Sequence, residues 1–100
     1  MFGNGGFAGE ALDAPARITN RDGALQRGFA VVQTNTGHDA SVEPGGTFAA
    51  DSQKLLDYAY RAVHVTAVTA KRITQSYYEI PVHRSYFNGC SLGGRQGLMS

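Results

Sequence analysis

The chain of 100 residues has one cysteine and no long hydrophobic segment. A single cysteine cannot form a disulfide within the chain, so Cys90 is either a buried thiol or half of a bridge to a cysteine elsewhere. No apolar run approaches the roughly 20 residues of a membrane helix, and the N-terminus lacks the basic and apolar regions of a secretory signal. We therefore expect no membrane partner, and the low Cys and His count excludes a zinc finger.

The chain also lacks an excess of charge of either sign. Nine Lys and Arg residues stand against eight Asp and Glu residues, for a net charge of +1, and the basic residues form no run. Because phosphate binding needs clustered Lys and Arg, nucleic acid is excluded as the main partner. A hydrophobic content of 42% with 13 glycines is typical of a globular α/β chain of about one small domain.

Two short segments have the pattern of β-strands. Residues 29–32 (FAVV) are an unbroken apolar run, closed by polar residues. Continuous rather than alternating apolarity is typical of a strand covered on both faces, which predicts a central strand of a parallel sheet. Residues 84–88 (RSYFN) form the second predicted strand, and residues 1–9 look like the end of a further strand that runs into a tight loop.

The longest predicted element is an amphipathic helix that opens at Asp51 or Ser52 and continues to about Tyr77. A shorter helix is predicted over residues 22–27, with Asp22 as its N-cap. Strands that alternate with helices predict an α/β fold with right-handed crossovers. The face of the long helix that we expect to be buried consists of Leu56, Tyr60, Val63, Ala67, Ala70 and Ile73.

Residues 89–93 (GCSLG) form a G-x-S-x-G motif between the second predicted strand and a predicted helix at residues 95–99. A serine is lifted above a sheet edge only if the chain reverses within a few residues, which strains Ser91 and requires glycines two positions before and after it. The N–H of Leu92, at the start of the following helix, is then placed to stabilise an oxyanion. Ser91 is therefore the candidate nucleophile, and the alternative is an ordinary turn serine at a helix N-cap.

The glycine-rich residues 3–9 (GNGGFAG) are the candidate source of a second oxyanion donor. An α/β-hydrolase takes this donor from a loop after an earlier strand, and glycine lets a backbone N–H turn inward without a side chain in the way. We expect Gly6 to supply it, with Gly5 as the second choice. A purely structural glycine turn is the simpler alternative.

A dinucleotide-binding fingerprint is another alternative for the opening loop, because Gly3, Gly5 and Ala8 fit G-x-G-x-x-A. That motif needs a helix that opens at its third position and an acid about 20 residues further on, at the end of the next strand. The turn-rich stretch around Pro15 does not continue as such a helix, and Asp22 precedes the next predicted strand. The pattern therefore disfavours dinucleotide binding.

At these residues the sequence resembles the tannase and feruloyl esterase family of α/β-hydrolases. The matching stretches follow the family order across nearly the whole chain: residues 3–9, 34–38 (TNTGH), 60–64 (YRAVH) and 86–97 (YFNGCSLGGRQG). The resemblance implies an α/β-hydrolase fold with a nucleophile elbow near the end of the chain. It also implies hydrolysis of aromatic acid esters, such as feruloyl or galloyl esters, through an acyl-enzyme on Ser91.

The resemblance has further implications for Cys90, location and cofactors. It implies that Cys90 is half of a disulfide to a cysteine beside the catalytic histidine, and that the protein is secreted or periplasmic. We expect no cofactor in this chain, although some family members carry calcium in a lid domain. Leu92 stands where the family commonly has Thr, a change that keeps the backbone N–H.

The triad partners of Ser91 are expected elsewhere. In α/β-hydrolases the acid and the histidine follow the serine, but the nine residues after Ser91 contain neither. We therefore expect residues 1–100 to be a fragment of a larger catalytic domain, truncated at both ends. The alternative is a non-catalytic, truncated hydrolase-like piece that acts as a scaffold or binding element.

No catalytic role is assigned to the three histidines of the chain. His83 should lie roughly 20 Å from Ser91, at the far end of the second predicted strand. His64 is expected to be a partly buried helix residue that bonds a neighbouring loop, and His38 a loop histidine that bonds backbone.

Overall fold

The computed structural model describes residues 1–99, which contain four α-helices and two shorter helical turns. A 3₁₀ turn at Thr47–Ala50 precedes the second helix, and a π-helical turn at Asp57–Arg61 connects the second helix directly to the third. The helices are α1 (Pro15–Gln26), α2 (Ser52–Leu56), α3 (Ala62–Tyr78) and α4 (Leu92–Met99).

The strands predicted at residues 29–32 and 84–88 are not formed within residues 1–99, so that prediction was wrong. Both segments nevertheless accept backbone hydrogen bonds from the first residues of the chain. The Phe2 N–H donates to the Val32 carbonyl at 3.3 Å, and the Gly3 N–H donates to the Asn88 carbonyl at 2.9 Å. One parallel bridge, between Phe2 and Asn88, forms there. A strand needs a ladder of repeated bonds, and isolated bonds of this kind do not make one.

The long helix begins where the sequence predicts. The Asp51 carboxylate accepts hydrogen bonds from the N–H groups of Gln53 (2.9 Å) and Lys54 (3.2 Å), so Asp51 is the N-cap of α2. The helical path then runs through the π-helical turn to Tyr78, one residue beyond the predicted end. Glu79 stops it with a left-handed backbone at φ 58°.

The predicted start of the short helix was wrong. Helix α1 begins at Pro15, and Asp22 lies in its interior instead of capping it. Proline suits the first helical position, because its ring sets φ and its missing N–H is not needed there. The helix ends near the predicted place, and Gly28 follows with φ 86°. The dinucleotide-binding pattern requires a helix that begins at its third position, Ala8. Because α1 begins only at Pro15, the structure does not meet this requirement.

The predicted buried face of the long helix is buried only at Val63. Leu56, Tyr60 and Ile73 are exposed, so the expectation was wrong at those positions. A helix stripe is buried only where another element covers it. Phe48, Val63, Ala8 and Leu92 are the buried apolar residues of the described chain.

Candidate active site

The backbone reverses sharply at Ser91, directly before α4. Ser91 has φ 56°, in the left-handed region that a non-glycine residue adopts at a cost of about 1–3 kcal/mol. Its side chain is exposed, and its hydroxyl makes no hydrogen bond within residues 1–99. Leu92 is the first residue of α4, and in the same residues its N–H has no partner. The turn thus holds a free hydroxyl beside a free N–H at a helix N-terminus.

Three backbone segments approach one another closely at Gly3, Gly89 and Gly93. A Cβ on Gly89 would lie 2.4 Å from the carbonyl carbon and oxygen of Gly93. A Cβ on Gly3 would lie 2.5 Å from the Gly93 Cα, and one on Gly93 would lie 3.2 Å from the Asn4 carbonyl oxygen. There is therefore no room for a side chain at Gly3, between the opening loop and α4, or at Gly89, between the turn and α4.

A reciprocal amide pair joins the opening loop to α4. The Asn4 N–H donates to Gln96 Oε1 at 2.9 Å, and Gln96 Nε2 donates to Asn4 Oδ1 at 3.0 Å. Both residues are buried, with 4% of Asn4 and 2% of Gln96 exposed. The sequence prediction missed both residues, although each lies inside a stretch that matches the family.

Glu10 fixes the other side of the opening loop. Its carboxylate accepts from the Gly5 N–H at 2.7 Å and from Asn4 Nδ2 at 2.8 Å, while Arg17 lies 4.0 Å away. Arg17 also donates to the Thr34 carbonyl, which in turn accepts from Asn4 Nδ2 at 2.7 Å. The sequence prediction missed this polar cluster of Asn4, Glu10, Arg17 and Thr34.

The polar cluster leaves only one of the two predicted oxyanion donors, Gly5 and Gly6, with an unpaired N–H in the described residues. The Gly5 N–H is occupied by Glu10, so Gly5 in this arrangement has no N–H to offer a substrate. Gly6 is exposed, has φ 52°, and its N–H has no partner within residues 1–99. Gly6 therefore stays the candidate donor of the loop.

Several effects oppose each other at the Glu10 carboxyl. Burial raises its pKa, but the hydrogen bonds from the Gly5 N–H and the Asn4 amide, with the positive charge of Arg17, outweigh burial. The pKa of Glu10 is lowered overall from its ordinary value of 4.5. A group with a lowered folded-state pKa stabilises the fold above its unfolded pKa, and this contribution is lost as the pH falls through the folded value.

We therefore expect Glu10→Gln to lower the free energy of unfolding at pH 7, and the deficit to shrink as the pH falls below 4.5. The measurement is urea denaturation of the full-length protein and the variant at several pH values between neutral and acidic. Glu79→Gln, at the exposed end of α3, is the matched control. A deficit that does not change with pH would contradict the assignment.

An aromatic cluster lies next to the opening loop and α4. His38 stacks on Phe48 with ring centroids 3.9 Å apart, and Phe48 contacts Tyr58 of the π-helical turn at 5.1 Å. The exposed Phe7, which follows Gly6, lies 6.2 Å from the Tyr58 ring. The Arg95 guanidinium lies 4.8 Å from the centre of the same ring and donates to the Tyr58 carbonyl. Tyr58 thus contacts both the loop and α4.

The structure corrects two expectations about single residues and removes one alternative for a third. His38 is buried and its Nδ1 lies 3.4 Å from Thr36 Oγ1, so it does not bond backbone as expected, and its Nε2 has no partner within residues 1–99. His64 is exposed rather than partly buried. Cys90 is a free, exposed thiol, which removes the buried-thiol alternative, and its disulfide stays a prediction.

Within residues 1–99, no three His, Cys, Asp or Glu side chains come together as metal ligands. Whether the protein carries calcium outside these residues stays a prediction. The helices of the same residues include none with the length and apolarity to cross a membrane.

A serine on a strained turn before a helix, with a glycine-rich loop held against that helix, is the local arrangement around the nucleophile of α/β-hydrolases. The sequence model of one family, described as tannase and feruloyl esterase, matches residues 1–100. The chain belongs to this family. Membership implies an α/β-hydrolase-like fold, of which residues 1–99 show helices and one parallel bridge rather than a sheet.

The curated relatives that the chain resembles include feruloyl esterases of Aspergillus species. The chain is 41% identical over 98 residues to a probable feruloyl esterase B-2 of Aspergillus flavus, covering 98% of this chain and 18% of the relative. It is 43% identical over 95 residues to feruloyl esterase B of Aspergillus niger, and the match covers 95% of this chain and 17% of that relative. The chain thus spans less than a fifth of the length of these relatives. No solved structure matches the chain significantly.

Proposed function

We propose that the protein containing this chain is a serine carboxylic ester hydrolase that acts on aromatic acid esters. The observation that carries the proposal is the position of Ser91, exposed on a strained turn at the N-terminus of α4. The Ser91 hydroxyl attacks the ester carbonyl, the alcohol leaves, and water then hydrolyses the acyl-enzyme. Family membership and the names of the relatives support this reaction class.

The N–H groups of Leu92 and Gly6 hold the oxyanion in this proposal. Leu92 contributes an N–H at the positive end of a helix, where developing negative charge is stabilised. Gly6 contributes the second donor from a loop that Gly3 and Asn4 hold against α4. Gly5 stays bonded to Glu10 and supports the loop instead of contacting substrate.

The base and its orienting acid are proposed to come from outside this chain. His38 is stacked in the aromatic cluster, and His64 and His83 are exposed without a bond to Ser91. In α/β-hydrolases both partners follow the serine. The relatives are more than five times as long as this chain, which leaves room for them.

Feruloyl and galloyl esters are the proposed substrates. The relatives are named feruloyl esterases, and the family name includes tannase. The exposed ring of Phe7, next to Gly6, adds an aromatic surface beside the proposed oxyanion donor. An aromatic acyl group could stack on such a surface, because offset and edge contacts between rings are favourable.

The test is hydrolysis of methyl ferulate and methyl gallate by the full-length protein, with methyl hexanoate as an aliphatic comparison. We expect release of at least one aromatic acid, with a higher kcat/KM than for the aliphatic ester. A folded full-length protein that hydrolyses none of the three would contradict the proposal and favour the non-catalytic alternative.

A further inference from the structure

We propose that Asn4 and Gln96 are positioning residues for ester hydrolysis, which set the separation between the two oxyanion donors. The inference rests on the proposed function and adds two residues to it. Asn4 lies in the opening loop two residues before Gly6, and Gln96 lies on α4 one helical turn after Leu92. The pair between them therefore links the two parts of the proposed oxyanion site by hydrogen bonds.

The pair is reciprocal and buried. Each residue donates one hydrogen bond to the other and accepts one, at 2.9 and 3.0 Å, across 92 positions of sequence. An amide side chain is the group that can both donate and accept in this way. Because both residues are almost fully buried, a lost partner leaves an unsatisfied polar group inside the protein.

The remaining bonds of Asn4 attach its side chain to two further groups. Its Nδ2 donates to the Glu10 carboxylate at 2.8 Å and to the Thr34 carbonyl at 2.7 Å. With the two bonds to Gln96, the backbone N–H and all side-chain donors of Asn4 have a partner, and so does its side-chain oxygen. Glu10 in turn holds the Gly5 N–H, which directly precedes Gly6.

The close glycine contacts set the approach of the loop, and the amide pair sets its register along α4. Gly3 and Gly93 limit how near the two backbones come, since a Cβ on Gly3 would lie 2.5 Å from the Gly93 Cα. Contact of this kind does not prevent the loop from sliding along the helix. Two directional hydrogen bonds to one side chain do prevent it.

The position of the donors affects the rate because negative charge is absent from the carbonyl oxygen of the bound ester and develops on it in the transition state that leads to the tetrahedral intermediate. A donor must lie about 2.7–3.1 Å from the oxyanion, and its loss costs about 10²–10³ in kcat. A misplacement of about 1 Å can cost about 100-fold. A positioning defect therefore lowers kcat with little effect on KM.

The first test compares the full-length enzyme with Gln96→Met, which keeps the length of the side chain and removes both hydrogen bonds. We expect kcat for methyl ferulate to fall about 10- to 100-fold while KM changes little. An arylboronic acid forms an adduct that mimics the tetrahedral intermediate, so the variant should bind it more weakly, by a factor similar to the fall in kcat. The affinity of the variant for ferulate should stay unchanged. Gln53→Met, which removes an exposed amide bonded to Asp57, is the matched control and should leave kcat unchanged.

The second test uses Gln96→Glu and the pH. A protonated carboxyl can accept from the Asn4 N–H and donate to Asn4 Oδ1, whereas a carboxylate can only accept. The ratio of kcat/KM between this variant and the wild type should therefore rise as the pH is lowered. A merely structural role would lower the urea midpoint of the variant without a pH-dependent recovery of this ratio.

Two results would overturn the inference: a folded Gln96→Met enzyme with wild-type kcat, or a Gln96→Glu ratio that is constant with pH. If Gln96→Met does not fold, the pH dependence of the kcat/KM ratio for Gln96→Glu is by itself the test of the inference. Failure of the proposed function has a different signature. In that case the wild-type protein hydrolyses no ester, or Ser91→Ala retains full activity, whatever Gln96 does.

Discussion

Ser91→Ala is expected to abolish ester hydrolysis by the full-length protein while its fold is retained. Removal of the serine nucleophile in a hydrolase of this mechanism lowers kcat by about six orders of magnitude. The fold should survive, because the Ser91 side chain is exposed and its hydroxyl bonds nothing within residues 1–99. The measurement is turnover of methyl ferulate and methyl gallate, together with circular dichroism.

Ser76→Ala is the control for this experiment, because Ser76 is an exposed serine on α3. It should keep wild-type turnover. If the folded Ser91→Ala protein turned over either ester at the wild-type rate, Ser91 would have no part in the mechanism.

Gly89→Ala is expected to destabilise the protein and to remove most of its activity. The added methyl group would lie 2.4 Å from backbone atoms of Gly93, and backbone cannot move aside as the end of a flexible side chain can. Residue 89 and Gly93 would have to move apart, which displaces Ser91 and Leu92 between them. Overpacking of this kind costs typically about 1–3 kcal/mol, and occasionally more.

Gly23→Ala is the matched control for the glycine experiment. Gly23 lies inside α1, and a Cβ there meets nothing within 4 Å. Because alanine is a better helix former than glycine, this variant should gain about 0.5–1 kcal/mol. Urea denaturation and turnover of both variants give the comparison. A Gly89→Ala protein as stable and active as the wild type would show that the close approach has no consequence.

Local patterns predicted the parts of the structure that depend on nearby residues. The start of the long helix, predicted at Asp51 or Ser52, depends on one carboxylate and the two N–H groups that it accepts from, and the sharp turn at Ser91 depends on the glycines that flank it. The start of α1 also had a local signal in Pro15, which the sequence prediction did not use. Capping and turn chemistry act over a few residues, so a sequence displays them directly.

Contacts between distant residues had no such signal. Asn4 and Gln96 are 92 positions apart, and nothing in a single sequence pairs two amides at that distance. The choice between Gly5 and Gly6 likewise depends on Glu10, whose carboxylate folds back onto the loop. The strand predictions at residues 29–32 and 84–88 failed for a related reason, because a segment forms a strand only when neighbouring segments supply a ladder of hydrogen bonds.

The most direct test of the central claim, that Ser91 is the nucleophile, is covalent labelling of the full-length protein with a fluorophosphonate. Nucleophilic attack on phosphorus displaces fluoride and leaves a stable phosphonyl ester, which peptide mass spectrometry locates. We expect one label per protein, on Ser91, with loss of ester hydrolysis in proportion to labelling. A protein that hydrolyses methyl ferulate but carries the label on another residue, or carries none, would contradict the claim.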